Sequence, residues 1–257
     1  MQKTDWNPEQ YLKFDKERTQ PSIDLVSRLS IWPETIIDMG CGPGNSTRIL
    51  FQRWPYAKVT GVDISPDMIE KAKTDFPQHD WRVLDTGSDE IAGKFDLVFS
   101  NAAIQWIPNH AELLNKFYHL LTDKGTVAVQ LPLFWDMPLG KAIEQIAMNS
   151  RWNKLTAGVR NLFAIHDSSF YYHHLSSLFS SVEIWETSYL HIMDSHLSIL
   201  DMIKSTGLRP YHERLGTDEN RKSFEDEILK EIGKDYPLQK NGKVIFPFKR
   251  LFFIAHR

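Results

Sequence analysis

The sequence predicts an α/β protein with a doubly wound, mostly parallel β-sheet. Short apolar runs that are typical of buried strands alternate with stretches of helical periodicity between about residues 35 and 132. A glycine-rich turn follows the first of these runs and opens a helical stretch. The 257 residues, of which 42% are hydrophobic, suffice for one large domain with an insertion or for two small domains.

The first half of the chain supplies five strands, which we predict at residues 35–39, 58–63, 80–84, 95–100 and 126–131. A helix beginning at Asn45 or Ser46 follows the first strand, and another begins at residues 65–66, a Ser-Pro pair that suits a helix start. A helix over 110–121 has one apolar face, and Gly125 is expected just past its end. Strands separated by helices imply right-handed βαβ units and therefore a parallel sheet.

The second half is mainly helical, with a sixth strand over 182–190 and two further strand-like runs on either side of a break at Pro247. Helices between the last two strands would lie above the sheet as a cap. The predicted helices cover residues 138–152, 168–179, 195–205 and 217–233.

Composition excludes several classes of protein. The net charge of −3 and the isoelectric point near 6.4 do not indicate the excess of positive charge that is typical of proteins that bind nucleic acid or an anionic membrane. Cys41 is the only cysteine, so an intrachain disulfide and a cysteine-based zinc site are both excluded. The start of the sequence has no signal-peptide pattern and no apolar run reaches the ~20 residues of a membrane span, so we expect a cytoplasmic protein.

The glycine-rich turn over residues 37–44 is the main functional motif. Ligands of open α/β sheets bind at the carboxyl ends of the strands, which is where this turn lies. Gly40 and Gly42 allow the backbone to approach a ligand at positions where a Cβ atom would clash. A tight turn without a ligand is the alternative interpretation of this motif.

Polar side chains at successive strand ends favour the ligand-binding interpretation. Asp63 ends the second strand, about 20 residues downstream of the turn, where an acid that binds ribose hydroxyls is expected. Asp85 follows the third strand, where it can meet an adenine amino group, and Asn101 ends the fourth. A single strand-end acid is more often simply solvated, but a series of such residues facing one crevice indicates a nucleoside site.

A nicotinamide dinucleotide is a weaker match to this turn than S-adenosylmethionine. The dinucleotide fingerprint requires a third small residue, and Asn45 occupies that position. Asp38 would place a carboxylate beside a pyrophosphate, which is unfavourable, whereas the ammonium group of a methionine moiety is attracted to it.

The Asp-x-Gly-x-Gly-x-Gly turn, the acid after the second strand and the strand order resemble the class I S-adenosylmethionine-dependent methyltransferases. Within that class the chain resembles the trans-aconitate methyltransferases. The similarity runs over nearly the whole chain, and residues 134–170 are the least similar. The similar residues are 5–8, 11–12, 14, 17–18, 21, 40–47, 105–106, 206–210, 236–239 and 250–252. This resemblance implies a Rossmann-like, seven-stranded sheet with an antiparallel last strand. It also implies one methyltransferase domain over residues 1–257, with a cofactor-binding core at 33–132 and a helical cap for the acceptor at 133–181 and 192–248.

The resemblance also implies two sets of site residues, with no catalytic side chain and no metal. The predicted cofactor-binding residues are Tyr11, Arg18, Asp38, Gly40, Cys41, Gly42, Asn45, Asp63, Ile64, Met68, Asp85, Thr86, Asn101, Ala102 and Trp106. The predicted substrate-binding residues are Trp6, Trp106, Arg209 and Arg250. Arginine suits carboxylates because its planar guanidinium pairs with them in a bidentate manner. The alternatives are a helix-end cation for Arg209, a surface position for Arg250 and a core position for Trp106.

We therefore expect a methyltransferase that esterifies one carboxylate of a small polyacid, with trans-aconitate as the implied acceptor. A carboxylate is already ionised at pH 7, so its methylation requires no general base. Two alternatives remain open at this point: a different small-molecule acceptor for the same cofactor, and a non-catalytic module that binds S-adenosylmethionine.

Overall fold

The structure, a computed structural model, describes residues 14–257. The strands are β1 (Thr35–Met39), β2 (Lys58–Asp63), β3 (Asp80–Val83), β4 (Phe95–Asn101), β5 (Leu121–Pro132), β6 (Ser181–Met193) and β7 (Val244–His256). The α-helices are α1 (Asp15–Ser27), α2 (Asn45–Arg53), α3 (Pro66–Asp75), α4 (His110–Leu120), α5 (Pro138–Met148), α6 (Ser168–Leu178), α7 (His196–Lys204), α8 (Arg209–Leu215) and α9 (Asp218–Asp235). None of the helices between residues 14 and 257 is long and apolar enough to cross a bilayer.

The seven strands form one sheet in the order β3-β2-β1-β4-β5-β7-β6. Strands β1 to β5 pair in parallel, so their carboxyl ends lie at one edge of the sheet. The order reverses at β1, which has β2 on one side and β4 on the other. A crevice at such a reversal point is where open α/β sheets bind their ligands.

Strand β7 runs antiparallel to both of its neighbours. The amide of Arg257, at the end of β7, donates to the carbonyl of Gly125 near the start of β5, with N and O 3.0 Å apart. The carbonyl of His256 accepts from the amide of Ser180, just before β6 begins, at 2.9 Å. The predicted mostly parallel sheet with an antiparallel last strand is therefore confirmed.

Local sequence determines where several helices begin. The Ser65 hydroxyl accepts from the amide of Met68 at 3.4 Å, and Pro66 stands in the first turn of α3, where its missing N–H costs nothing. Asp167 caps α6 in the same way, because its carboxylate accepts from the amide of Phe170 at 2.8 Å. Helix α2 differs from the prediction, since its N-cap is Gly44 in a left-handed conformation and Asn45 is already helical.

Two predicted boundaries were wrong. Helix α4 ends at Leu120 and β5 begins directly at Leu121, which pairs with Phe95, so Gly125 lies inside a strand instead of closing the helix. Strand β7 continues through Pro247, because a proline removes one backbone donor without preventing an extended chain.

The helix α8 was not predicted either. By residue type, Gly207 predicts the end of a helix, and Pro210 predicts a stiff chain beyond that end. Helix α7 does end at Lys204, but a new helix begins at Arg209, and Pro210 is accommodated in its first turn. Gly207 serves packing, because a Cβ atom there would lie 2.9 Å from the ring of Phe134.

The chain divides into two compact units. The first contains the residues up to Leu131 together with Ala164–Glu186 and Leu251–Arg257, and its core consists of apolar strand residues such as Val98 and Phe99. The second contains Pro132–Phe163 and Thr187–Arg250, and helix α9 packs against α5 within it. The assignment of a cofactor-binding core and an acceptor cap stays a prediction.

Candidate functional site

The turn after β1 is held close to the end of β2. The amides of Gly40 and Cys41 both donate to the carbonyl of Val62, at 2.8 and 3.0 Å. Gly40 has a φ of +76°, and a Cβ atom on it would lie 2.2 Å from the Cβ atom of Ala103. The close approach that requires glycine at residue 40 is thus made by the turn that follows β4, whereas we predicted a close approach to a ligand.

Gly42 contributes open space. Its φ is +56°, and no described heavy atom lies within 4 Å of where a Cβ atom would stand, apart from its chain neighbours. The backbone of this turn thus leaves room for a bound molecule beside Gly42. The space and the left-handed conformation together fit the role predicted for a loop that a ligand approaches closely.

Asp38 lies just before the turn and is completely buried. Its Oδ2 atom accepts from the hydroxyl of Thr47 at 2.7 Å, whereas its Oδ1 atom has no hydrogen-bond partner within residues 14–257. Burial raises the pKa of this carboxyl to about 7, the Thr47 hydrogen bond acts in the opposite direction, and the negative charge of Asp63 raises it further. A buried acceptor without a donor is costly, so this oxygen is suited to a ligand that carries N–H groups.

Asp63 connects the turn to the start of α3. One carboxylate oxygen accepts from the amide of Gly42 and the other from the amide of Ser65, both at 2.9 Å. Burial raises the pKa of Asp63, while these backbone hydrogen bonds lower it. Each carboxylate oxygen has a second lone pair, so Asp63 retains the capacity to accept from two ligand hydroxyls.

Asn101 ends β4 and meets the first turn of α2. Its Nδ2 atom donates to the hydroxyl of Ser46 at 2.8 Å, and its buried Oδ1 atom receives no hydrogen bond from the described part of the chain. Ala102 follows in a left-handed conformation with a φ of +53°, and its amide donates to the carbonyl of Gln130 at 2.9 Å. The structure thus places Asn101 beside the first turn of α2, and the roles of Asn101 and Ala102 in binding stay predictions.

The segment after β3 carries two further predicted residues. Asp85 accepts from the amide of Gly87 at 2.8 Å, and its own amide donates to Asp89. Thr86 is buried, and its carbonyl accepts from the Lys116 ammonium at 2.7 Å. Asp85 and Thr86 therefore lie at the carboxyl end of β3, in a segment that is fixed by its own hydrogen bonds.

The remaining predicted residues near the turn are apolar. Cys41 is buried against Ile69, Ala72 and Trp81, and burial raises the pKa of its thiol, so a packing role explains this residue. Met68 is also buried. Ile64, by contrast, exposes 48% of its surface immediately after Asp63, which makes it available to cover a flat ring.

Four predicted residues are less informative. Trp106 ends a short 3₁₀-helix (Ile104–Trp106) after β4 and is half-buried, and Arg18 is buried in α1. Trp6 and Tyr11 lie outside the described residues. For these four, roles in binding stay predictions.

The two predicted substrate-binding arginines both belong to the second unit. Arg209 is the first residue of α8, with its Nη1 atom 3.7 Å from Glu213 Oε1, so it is not the cation at a helix carboxyl end considered above. Arg250 is buried inside β7, and its guanidinium carbon lies 4.5 Å from the centre of the Phe248 ring. Arg250 is therefore not the surface arginine that the sequence left open as an alternative.

His110 is unsuited to act as a base. It is buried, its Nε2 atom donates to the carbonyl of Ile104 at 2.8 Å, and its Nδ1 atom accepts from the hydroxyl of Tyr171 at 2.7 Å. Burial lowers its pKa to about 4. Both ring nitrogens are therefore occupied, and the ring is uncharged at neutral pH.

Three residues around the turn had no role in the predicted site. The Thr47 hydroxyl donates to Asp38, and the Ser46 hydroxyl accepts from Asn101. Gln105 donates from Nε2 to the carbonyl of Ala102 at 2.7 Å. Hydroxyl residues at the start of the helix after the turn were the available signal for the first two. Nothing local in the sequence identifies the partner of Gln105, because this contact depends on the conformation of Ala102.

The residues in the first unit fit S-adenosylmethionine. An acceptor-only oxygen at Asp38 suits an ammonium group, Asp63 suits a pair of hydroxyls, and Gly42 leaves space for the connecting atoms. Ile64 and Asp85 follow β2 and β3, where an adenine ring would be covered by an apolar side chain and recognised by an acceptor.

Comparisons with known proteins show that the chain is similar to methyltransferases. A family model described as a methyltransferase domain matches residues 36–125. The chain is 38% identical over 255 residues to the trans-aconitate 2-methyltransferase of Shigella flexneri, covering 99% of each protein. It has the same identity and coverage with the trans-aconitate 2-methyltransferase of an Escherichia coli strain.

Solved structures with this fold are more distant in sequence. The YcgJ protein of Bacillus subtilis is 14% identical, with a TM-score of 0.60 and coverage of 93% of this chain and 98% of that protein. A methyltransferase-like protein of Bacillus halodurans, 13% identical, has a TM-score of 0.59 and coverage of 92% and 98%. These two similarities support the fold alone. The identity to the curated relatives extends over nearly the whole length of both proteins, and the chain therefore belongs to the trans-aconitate 2-methyltransferase family of methyltransferases.

Proposed function

We propose that this protein transfers the methyl group of S-adenosylmethionine to one carboxylate of a small polyacid, with trans-aconitate as the acceptor and a monomethyl ester as the product. The observation that carries the proposal is the 38% identity over 99% of the chain to enzymes named for this acceptor. The hydrogen-bond acceptors around the turn after β1, Asp38 and Asp63, support S-adenosylmethionine as the cofactor. The proposal places the reaction in the cytoplasm, where the single cysteine, Cys41, stays reduced.

The cofactor supplies a methyl group on a positively charged sulfur. In this proposal Asp38 holds the ammonium of the methionine moiety through Oδ1, which receives no hydrogen bond from residues 14–257. Asp63 accepts from the ribose hydroxyls while keeping its hydrogen bonds to the amides of Gly42 and Ser65. Ile64 covers the adenine ring, and Asp85 accepts from its amino group.

A carboxylate acceptor explains how the reaction proceeds without a side-chain base. One carboxylate oxygen forms a bond to the methyl carbon as the bond from that carbon to sulfur breaks, so no proton is transferred. The positive charge on sulfur and the negative charge on the acceptor are both lost, so exclusion of water favours the reaction. The blocked ring nitrogens of His110 are consistent with this, because a hydroxyl acceptor would need a base.

The protein must also hold the carboxylates that do not react. Arg209 and Arg250 are the residues that we propose for this task, because a guanidinium pairs with a carboxylate in a fixed direction. Both arginines lie in segments that resemble the family, residues 206–210 and 250–252. Alignment of the reacting groups is then the main contribution of the enzyme and can supply up to roughly 7–11 kcal/mol.

The test is an acceptor panel with isotopically labelled S-adenosylmethionine. Trans-aconitate, other tricarboxylates, dicarboxylates, and hydroxyl and amine compounds of similar size are incubated with the protein, and the products are identified by mass spectrometry. We expect one methyl group on a carboxylate, with the highest kcat/KM for trans-aconitate. Faster methylation of a hydroxyl or amine would replace the proposed acceptor, and cofactor binding without turnover of any acceptor would indicate a non-catalytic module.

A further inference from the structure

We propose that Gln105 is a positioning residue that holds the turn after β4 in the conformation needed for cofactor binding. The inference rests on the proposed function for its cofactor, but not for its acceptor. Gln105 is 5% exposed, and its Nε2 atom donates to the carbonyl of Ala102 at 2.7 Å. This bond spans three residues and closes the turn that leads from β4 into the short 3₁₀-helix.

Ala102 needs to be held because its backbone conformation is unfavourable. A φ of +53° places a residue with a Cβ atom in the left-handed region, which L-residues other than glycine rarely adopt. Its amide donates to the carbonyl of Gln130 at 2.9 Å, and its carbonyl accepts from Gln105. Both peptide groups of Ala102 are therefore fixed, the first by β5 and the second by the Gln105 side chain.

The residues on either side of Ala102 carry the functional consequence. The Asn101 side chain donates to the Ser46 hydroxyl at the start of α2. Ala103 packs against Gly40, and a Cβ atom on Gly40 would lie 2.2 Å from the Cβ atom of Ala103. The turn after β1 and the turn after β4 are thus packed together at one point. A change in the backbone of Ala102 would move both Asn101 and Ala103 relative to the glycine turn.

Gln105 is itself fixed from a second direction. Its backbone carbonyl accepts from the amide of Ala164 at 2.9 Å, where the chain re-enters the first unit. Its Oε1 atom is buried and receives no hydrogen bond from the described residues. Leaving a buried oxygen without a hydrogen bond lowers the stability of the fold. A glutamine at this position is therefore better explained by the hydrogen bond from Nε2 to Ala102 than by a gain in stability.

The experiment measures the binding of S-adenosylhomocysteine, the product of the proposed reaction, by titration calorimetry. Gln105→Met keeps the size of the side chain and removes the donor to Ala102. We expect it to weaken binding roughly tenfold, the loss expected for one hydrogen bond of about average strength. Gln52→Met, an exposed glutamine on α2, is the matched control and should bind like the wild type.

A double-mutant cycle with Ala102→Gly separates positioning from simple structural support. Glycine adopts the left-handed conformation without the steric penalty, so the turn depends less on the hydrogen bond from residue 105. Gln105→Met should therefore weaken binding by only about two- to threefold in the Ala102→Gly background, compared with roughly tenfold in the wild type.

Two results would overturn the inference. One is wild-type affinity for S-adenosylhomocysteine in Gln105→Met. The other is an equal loss in both backgrounds, which would mean that Gln105 does not act through the backbone of Ala102. A wild-type protein that fails to bind S-adenosylhomocysteine would contradict the proposed function itself, so the two failures are distinguishable. Thermal melting of every variant confirms that the binding data refer to folded protein.

Discussion

Replacement of Asp38 by Asn should make the protein more stable at neutral pH and weaken its binding of S-adenosylhomocysteine. The carboxyl group is fully buried, and its Oδ2 atom accepts a hydrogen bond from Thr47. An amide keeps the shape of the side chain and can still accept from the Thr47 hydroxyl. It removes the buried negative charge, which costs stability in the absence of a ligand.

The magnitude follows from the raised pKa of Asp38. The pKa is about 7 in the folded protein, whereas the ordinary value is 3.8. Between these two values the folded state binds more protons than the unfolded state, so this group makes the free energy of unfolding fall as pH rises. The difference corresponds to about 4 kcal/mol once the pH exceeds 7, because one pKa unit is about 1.4 kcal/mol.

The assay is chemical denaturation of the wild type and of Asp38→Asn at several pH values between about 4 and 8. The wild type should lose up to about 4 kcal/mol relative to the variant over this range, with most of the loss complete by pH 7. Asp123→Asn, an exposed aspartate in β5, is the control and should follow the wild type. A difference between wild type and Asp38→Asn that does not change with pH would refute the assigned pKa.

The same variant tests the role of Asp38 in binding. The proposed ammonium partner requires an ionised carboxylate, so wild-type affinity for S-adenosylhomocysteine should fall as the pH drops below about 7. Asn presents an N–H group where the ligand also carries N–H groups, so Asp38→Asn should bind more weakly by about 1.5–3 kcal/mol, as for a lost hydrogen bond to a charged group. Unchanged affinity at pH 8 would remove Asp38 from the site.

Three further substitutions probe other parts of the proposal. Asp63→Ala should weaken binding of S-adenosylhomocysteine, measured by calorimetry, by at least about 1.5–3 kcal/mol, because the ribose acceptor and the bond to the Gly42 amide are both lost; an unchanged Kd would exclude this role. His110→Asn should lower the melting temperature through loss of the Tyr171 contact, yet leave the kcat of the folded enzyme within about tenfold of wild type. A decrease of kcat by many thousandfold would instead indicate that His110 acts as a base. Arg209→Lys should reduce kcat/KM more for tricarboxylates than for dicarboxylates while cofactor affinity stays the same; equal small losses would leave Arg250 as the carboxylate-binding residue.

Much of the cofactor half of the molecule could be predicted because its signals are local. Strand and helix alternation, the Ser65-Pro66 helix start and the acids at the ends of β1 and β2 all lie within short segments of sequence. The parallel sheet then brings the strand ends together whatever their separation along the chain. For that reason the sequence alone predicts Asp38, Asp63 and Asn101 as site candidates.

The second half was harder to predict for a physical reason. A proline is common both in the first turn of a helix and just beyond a helix end, so its presence in the sequence does not distinguish the two. Only the packing of the segment decides which of them forms. Pro210 therefore suggested a stiff segment where the structure has the first turn of α8. Gly207 similarly suggested a helix end, but its lack of a side chain is required by the ring of Phe134, more than 70 residues away in the sequence.

The sequence by itself determined the fold class, the family and the strand ends at which polar residues meet. These follow from periodicity and from motifs in which neighbouring residues act together. Only the tertiary structure decided that Asp38 is fully buried with one oxygen that receives no hydrogen bond from residues 14–257, and that Gln105 fixes the left-handed Ala102. Burial and hydrogen-bond partners depend on segments that fold against one another from distant parts of the chain, so the pKa of Asp38 and the role of Gln105 have no local signature.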